Sequence, residues 1–343
     1  MIDSPSRVTV IVTNRNGLQH LDECFGSLRE QTFTDFSVVF VDNASSDTSV
    51  EWVQEHYPDT EIIVHESDTG YSTSANDGIR AAEGAYIVLL NNDVRLEPDW
   101  LEALVTSMEQ NPQYDFGASH MIMYFDPELT NAAGDMYSLK DVSGINRGWT
   151  EPVTLFTEPK RVLGACGGAA IYRRGFFDDV GLFDEDFYLI HEDTDINLRA
   201  LVAGKKCQYI PGARVFHKIR ASGSQYSAGK LAHLDTRNRM FVAAKGLPLL
   251  ALSYCVWLRV WPALRSTFPL RPSKWHLIPG LIRSLPERWA PDIEGFKLGW
   301  AKRHDVWAKR KIGTFAILWW LRHGVADVDA DSSVAPQTAR TSK

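Results

Sequence analysis

The first 110 residues repeat one pattern four times: a short apolar run that stops in polar residues and is followed by helical spacing. The runs are Val8–Thr13, Ser37–Asp42, Glu61–His65 and Ala85–Leu90. The first and last are apolar nearly throughout, as expected of strands buried on both faces of a parallel sheet. Between the first two, Leu18, Leu21, Phe25 and Leu28 recur at helical intervals. Ser46 or Asp47 is placed to cap the next helix, and Pro98 to open the one that runs to about Gln110. Strands alternating with helices predict an α/β fold built on a doubly wound, mostly parallel sheet.

Such sheets bind ligands at the carboxyl ends of their strands. Here those ends carry Thr13, Asp42 and Asn91-Asn92-Asp93. No Gly-x-Gly-x-x-Gly follows the first strand, and no Gly-Lys-Ser/Thr loop is present, so dinucleotide and P-loop sites lack their usual signature. One carboxylate can accept hydrogen bonds from a base or ribose, and a second can hold a divalent ion against a diphosphate. That division of labour suits a nucleotide-diphosphate ligand. An ordinary polar turn after a strand accounts for the same residues taken singly.

The blocks Val-Ile-Val-Thr-Asn-Arg-Asn, Val-Asp42-Asn-Ala-Ser-Ser-Asp, Thr69-Gly-Tyr-Ser-Thr-Ser-Ala-Asn76 and Leu-Asn91-Asn-Asp93 resemble, in order and spacing, family 2 glycosyltransferases, and most closely their rhamnosyltransferase-like branch. The resemblance covers about residues 8–245. It implies a GT-A fold and an inverting transferase that uses a nucleotide-diphospho-sugar. It also implies roles. Asp42, with Asn43 beside it, contacts the base, and Thr13, Asn14 and Arg15 flank base and ribose. Asn76 lies near ribose and phosphates. Asn91 and Asn92 lead to Asp93, the metal-holding member of a motif whose first carboxylate is here replaced by Asn91. One carboxylate fewer should make the ion, Mg²⁺ or Mn²⁺, arrive with the sugar nucleotide.

Further along, Gly167 and Gly168 permit close backbone approach to a ligand, or mark a bulge in a strand. Glu192 and Asp193 begin a helix, where acids are common for dipole reasons alone. The resemblance makes Asp193 the catalytic base, Glu192 its partner and His217 a second holder of the metal or diphosphate. Asp195 is assigned to the helix start or to a supporting place behind the acid pair. The Ser222-Gly-Ser224 stretch reads as a loop that orders over the donor. Residues 126–160 show little periodicity and are expected to form a lid or acceptor loop, with Trp149 stacking on a sugar or packing inside.

Charge divides the chain. The net charge is -7, yet residues 246–324 hold 13 Lys+Arg against 4 Asp+Glu, a balance of +9, together with 8 of the 11 tryptophans. The acidic front excludes nucleic acid as its partner. Three regions are expected: a GT-A catalytic domain over 1–245, with a donor half to about 110 and an acceptor half from 111; a helical extension over 246–325; and a disordered tail over 326–343. The extension is expected to contact a membrane surface peripherally, or a second subunit, since its apolar run at 247–258 falls short of a span. Four scattered cysteines and the absence of an apolar leader favour a cytoplasmic setting at the inner face of the membrane.

The implied donor is dTDP-rhamnose and the acceptor a glycan or polyprenyl-linked glycan. A UDP-hexose or UDP-galactofuranose transferase is the alternative. A sugar-phosphate nucleotidylyltransferase would need a Gly-rich N-terminal loop that is not seen. A non-catalytic scaffold would have little use for Asp42, Asp93, Asp193 and His217.

Overall fold

A computed structural model describes residues 6–219, 226–267 and 278–326, without the side chains of 262–288. The Ser222–Ser224 loop and the tail from residue 327 on lie outside the described residues.

The first half follows the expected alternation. Strand β1 (Val8–Asn14) leads through α1 (Leu18–Arg29) to β2 (Phe36–Asp42), and α2 (Ser49–His56) leads to β3 (Glu61–Val64). Helix α3 (Tyr71–Ala81) precedes β4 (Tyr86–Asn91), a short β5 (Val94–Leu96) and α4 (Trp100–Gln110). Strands β4, β1, β2 and β3 are parallel neighbours, with Thr13 opposite Asn91 and Asn14 opposite Asp42. Their polar ends therefore lie side by side. Alternation along β1 explains its unbroken apolarity. Val8, Val10 and Val12 pack with Leu21, Phe25 and Leu104 on one face, and Ile11 packs with Ala75 and Ile79 on the other.

The second half mixes directions. It contains β6 (Phe116–Met123), β7 (Thr130–Ala132), the hairpin of β8 (Asp135–Ser138) and β9 (Ser143–Asn146), β10 (Lys160–Val162), β11 (Ala169–Arg173), α5 (Gly175–Val180), α6 (Glu192–Val202) and β12 (Cys207–His217). Strand β11 runs antiparallel to β4 and β6, while β12 runs parallel to β6 and antiparallel to β5 and β10. The stretch 126–160, expected as an irregular lid, is thus threaded by strands of three or four residues. Trp149 is half exposed and outside the cleft described below.

Four helices follow: α7 (Ala228–Gly246), α8 (Leu249–Thr267), α9 (Ile278–Ala308) and α10 (Thr314–His323), then β13 (Val325–Ala326). Among the described residues no helix is long and apolar enough to cross a membrane. Helix α9 lies against α7 at two glycines. A Cβ on Gly295 would meet the Arg237 carbonyl oxygen, and one on Gly299 would meet that of Phe241. The expected boundary at 245/246 falls at the end of α7, yet α7 packs with α9, and β13 returns to pair with β10 in the main sheet.

A buried ion network fastens this extension to the catalytic half. Lys245 Nζ donates to Asp184 at 2.6 Å and to Asp195 at 3.0 Å, Arg199 pairs with Asp195, and Lys302 with Asp184. Burial alone would raise the Asp184 carboxyl, but Lys245 and Lys302 hold it down at about 2. Because that value is depressed, the associated stability is present above the unfolded value and is lost as pH falls toward 2.

Candidate active site

At the carboxyl ends of β1 and β4 a cleft opens, lined by Thr13, Asn14, Arg15, Asn43, Asn91 and Asn92 on one side and by Cys166, Gly167, Gly168, Glu192 and Asp193 on the other. Residues far apart in sequence meet here because the crossover order of the sheet sets β11 beside β4. Gly167 and Gly168 precede β11 rather than forming a bulge within it. Their backbone is engaged: the Gly168 carbonyl accepts from Asn91 N at 2.9 Å, and the Gly167 carbonyl accepts from the Tyr71 hydroxyl at 3.0 Å. Tyr71, Ser74, Leu189 and Tyr226 also line the cleft and were not singled out from the sequence. Tyr71 and Ser74 lie inside the Thr69–Asn76 block, which was the available signal. Tyr226 had none, since it enters from the segment just before α7.

A polar cluster ties the cleft residues Arg15 and Tyr226 to Asp68 and Tyr188. The Tyr188 hydroxyl donates to Asp68 at 2.5 Å, Arg15 pairs with Asp68 at 3.2 Å, and the Arg15 guanidinium lies over the Tyr226 ring. Gly70, at φ +83°, lets the chain pass Tyr188: a Cβ there would collide with the Tyr188 carbonyl and ring.

Two expected ligand residues have other engagements. Asp42 is 1% exposed and does not line the cleft. It accepts from Asn14 Nδ2 at 2.8 Å, and from the backbone and hydroxyl of Ser45. Its neighbour Asn43 reaches the cleft instead. Asn76 is likewise engaged within the protein. Its amide donates to the Phe183 carbonyl and accepts from Phe183 N, both at 2.9 Å, locking α3 to the loop after α5 and leaving the cleft untouched. A strand-end or helix-start residue of the right type can serve the chain beneath it as well as a ligand above it.

The acid pair opens α6 after a strained approach. Tyr188, Ile190 and His191 all have positive φ, which non-glycine residues adopt only when their surroundings impose it. Helix α7 imposes it here. Fully buried Asn238 donates to the carbonyls of Phe187, Leu189 and Ile190, and Arg237 donates to those of Asp186 and Phe187. His191 is held by Asp235 at 2.9 Å. Asp193 Oδ1 accepts from Thr194 N at 2.6 Å, and its Oδ2 faces Gly167 N at 3.4 Å. Glu192 Oε2 is buried without a hydrogen-bond partner. Burial first, and the charge on Asp193 second, push the Glu192 carboxyl up to about 8. Asp195 points away into the ion network with Lys245 and Arg199.

Asp93 and His217 meet where β5 and β12 pair, with His217 opposite Val94. Asp93 Oδ1 lies 3.3 Å from His217 Nε2 and has no hydrogen bond, although Asp93 is 2% exposed. His217 Nδ1 lies 2.9 Å from Asn131 Oδ1, and Nε2 is the ring nitrogen that faces the carboxylate. With Nδ1 donating to Asn131, a neutral ring would offer an Nε2 lone pair beside the carboxylate oxygen, a pair that fits a divalent cation. Burial alone would raise the Asp93 carboxyl, but without a metal a His217 ring that donates from Nε2 and carries charge holds it below the usual range. Among the described residues no group of three or more His, Cys, Asp or Glu forms a complete metal cage, so other ligands would have to come with the substrate.

Comparison with known proteins bears on the fold and the family. An N-acetylglucosaminyl-diphospho-decaprenol L-rhamnosyltransferase of Mycobacterium tuberculosis is 25% identical over 253 residues, covering 65% of this chain and 80% of that protein. Two GT-A structures superpose on most of the chain, each at 17% identity. One is GalNAc-T7 solved with UDP, GalNAc and Mn²⁺, at TM-score 0.60, over 85% of this chain and 58% of that one. The other is the mannosyltransferase PcManGT from Pyrobaculum calidifontis with GDP-Man and Mn²⁺, at 0.52 and 88% of each. The fold is GT-A, an α/β architecture with C-terminal helices. The family model for glycosyl transferase family 2 matches residues 9–181, half of the chain, and the protein belongs to that family.

Proposed function

We propose that this glycosyltransferase moves a sugar, with dTDP-rhamnose as the favoured donor, to a hydroxyl of a lipid-linked glycan with inversion at the anomeric carbon. The observation that carries this reading is a single cleft in which the Glu192–Asp193 pair faces Thr13, Arg15, Asn91 and Gly168. Asp193 takes the proton of the acceptor hydroxyl while that oxygen bonds to the anomeric carbon and the nucleoside diphosphate departs. Asn43, Thr13, Asn14 and Arg15 bind base and ribose, and Asn91 and Asn92 orient the diphosphate. Asp42 acts through Asn14, to which it is hydrogen-bonded. A divalent ion held by Asp93 and His217 would neutralise charge on the leaving diphosphate. The M. tuberculosis relative, named for a decaprenol-linked substrate, supports the choice of acceptor and of rhamnose. The Mn²⁺ in both superposed structures supports the ion. Residues 1–245 carry the chemistry, and the extension 246–325 brings it to a lipid surface on the cytoplasmic side.

The test is thermal stabilisation by dTDP, UDP and GDP, each with and without Mg²⁺ or Mn²⁺, followed by transfer assays with the nucleotide sugar that stabilises. Ligand at about 100 times its Kd should add about 2.7 kcal/mol of apparent stability. The expected result is a shift with dTDP that needs the metal, and that Asp93→Asn reduces to the metal-free level. A shift with UDP alone would replace the donor, and no shift with any nucleotide would end the reading.

Glu192 sets a pH limit. Its carboxyl is raised to about 8, so it keeps its proton below that pH and ionises above it. Ionisation sets a second negative charge next to Asp193 and the donor diphosphate. The donor KM should therefore climb above about pH 8, and Glu192→Gln should flatten the climb. An unchanged profile in the variant would show that another group is titrating.

A further inference from the structure

Helix α8 is apolar on both faces. Inward, Ala251, Leu252 and Cys255 join the core formed with Phe241 and Leu321. Outward, Leu250 is 72% exposed, Tyr254 46%, Trp257 52% and Trp261 50%, a stripe at helical spacing without a charge. The aromatic rings are stacked along it, Tyr254 on Trp257 at 6.3 Å and Trp257 on Trp261 at 6.1 Å. Helix α10 extends the surface. Phe315 is 88% exposed, and Leu318 lines an open groove with Leu139, Leu250, Tyr254 and Trp257. An apolar stripe on the solvent side of a helix whose other side is already in the core departs from the polar outer face usual for a surface helix. Exposed patches of this kind mark an interaction site.

Charge selects the occupant. Exposed Lys140 follows Leu139 at the groove, and exposed Arg322 stands one helical turn beyond Leu318. The wider extension carries 13 Lys+Arg against 4 Asp+Glu. Tryptophan and tyrosine beside an apolar surface, with cations at its margin, match the interface of an anionic bilayer. The β8–β9 hairpin connects this helix with the start of α6. Cys255 contacts the Leu139 carbonyl just beyond β8, and a Cβ on Gly144 of β9 would strike Thr194, the neighbour of Asp193.

We propose that the α8 stripe, together with Phe315 and Leu318, is the face that enters the headgroup layer of an anionic membrane. It presents the active site to acceptors whose lipid tails lie in that layer. This rests on reading the extension as lipid-facing and adds which surface does it. The experiment mixes the full chain with vesicles of phosphatidylcholine alone, or with about a third phosphatidylglycerol, and measures co-sedimentation. The wild type should bind the anionic vesicles, more weakly at high salt. Trp257→Glu combined with Trp261→Glu should bind at least about tenfold less, with its nucleotide-induced thermal shift unchanged. If the wild type binds neither vesicle, lipid contact itself is wrong. If the double variant binds as well as wild type, the extension meets lipid through another face. If the wild type is dimeric without lipid and the variant monomeric, the stripe covers a second copy of the chain. Each of these last three results overturns the proposal.

Discussion

Asp193→Asn should abolish measurable sugar transfer, with kcat down by about 10³ or more, while nucleotide binding persists. The substitution keeps the shape of the side chain and its acceptor oxygen toward Thr194 N, so the start of α6 is preserved. It removes the only group in the proposed mechanism that can take the acceptor's proton, a contribution of about 10²–10⁴ for general bases. The measurement is single-turnover transfer, with the nucleotide-induced thermal shift recorded on the same protein. Transfer within about tenfold of wild type would move the base to Glu192. That carboxyl would then have to act from a buried position, with its value raised to about 8.

Asn238→Ala should cost about 3 kcal/mol of stability and about 10² in kcat, although Asn238 does not line the cleft. Its two amide hydrogens are shared among three carbonyls in a site fully closed to solvent. Removing them takes the side-chain donor from the Leu189 and Ile190 carbonyls, each loss worth about 1–3 kcal/mol, while Phe187 keeps its bond from Arg237. It also frees a segment holding three positive-φ residues, Tyr188, Ile190 and His191, immediately before the acid pair. Relaxation there would move Glu192 and Asp193 together. Chemical denaturation reads the first effect. The second appears as a fall in kcat with little change in donor KM, because the base and ribose residues lie on the other half of the sheet. A variant with wild-type stability and rate would show that the segment holds its shape unaided.

What the sequence made legible was the part governed by strong periodicity. Strands β1, β2 and β4 and helices α1, α3 and α4 lie within a few residues of the expected spans because each buries a continuous face. Residues 126–160 were opaque for the opposite reason. Strands of three or four residues, such as β7 and β10, are too short to show a period, and their pairing partners lie far off in the chain. Strand β5 was hidden in the polar break after Asp93, and only its pairing with β12 makes it a strand.

The site divides in the same way. The polar ends of β1 and β4 and the acids of α6 could be read off because the pattern fixes where a strand ends and a helix starts. Whether Asn76 faces a ligand or Phe183 depends on which loop arrives above it, and no local pattern encodes that. Tyr226 and Asn238 belong to a helical region whose packing on the catalytic half was not apparent from composition. Their roles emerge only once α7 is in place.

The return of β13 to the main sheet has a consequence for biosynthesis. Val325 and Ala326 pair with Val162 and Arg161, and Leu163 N donates to the Gly324 carbonyl. Until those residues leave the ribosome, β10 is an unsealed strand border, the kind of surface through which nascent chains aggregate. A transcript cut short before codon 324 would yield a polypeptide with every catalytic residue present and that border still open. Expression trials that trim the helical region should therefore be judged first by the yield of soluble product, and only then by turnover.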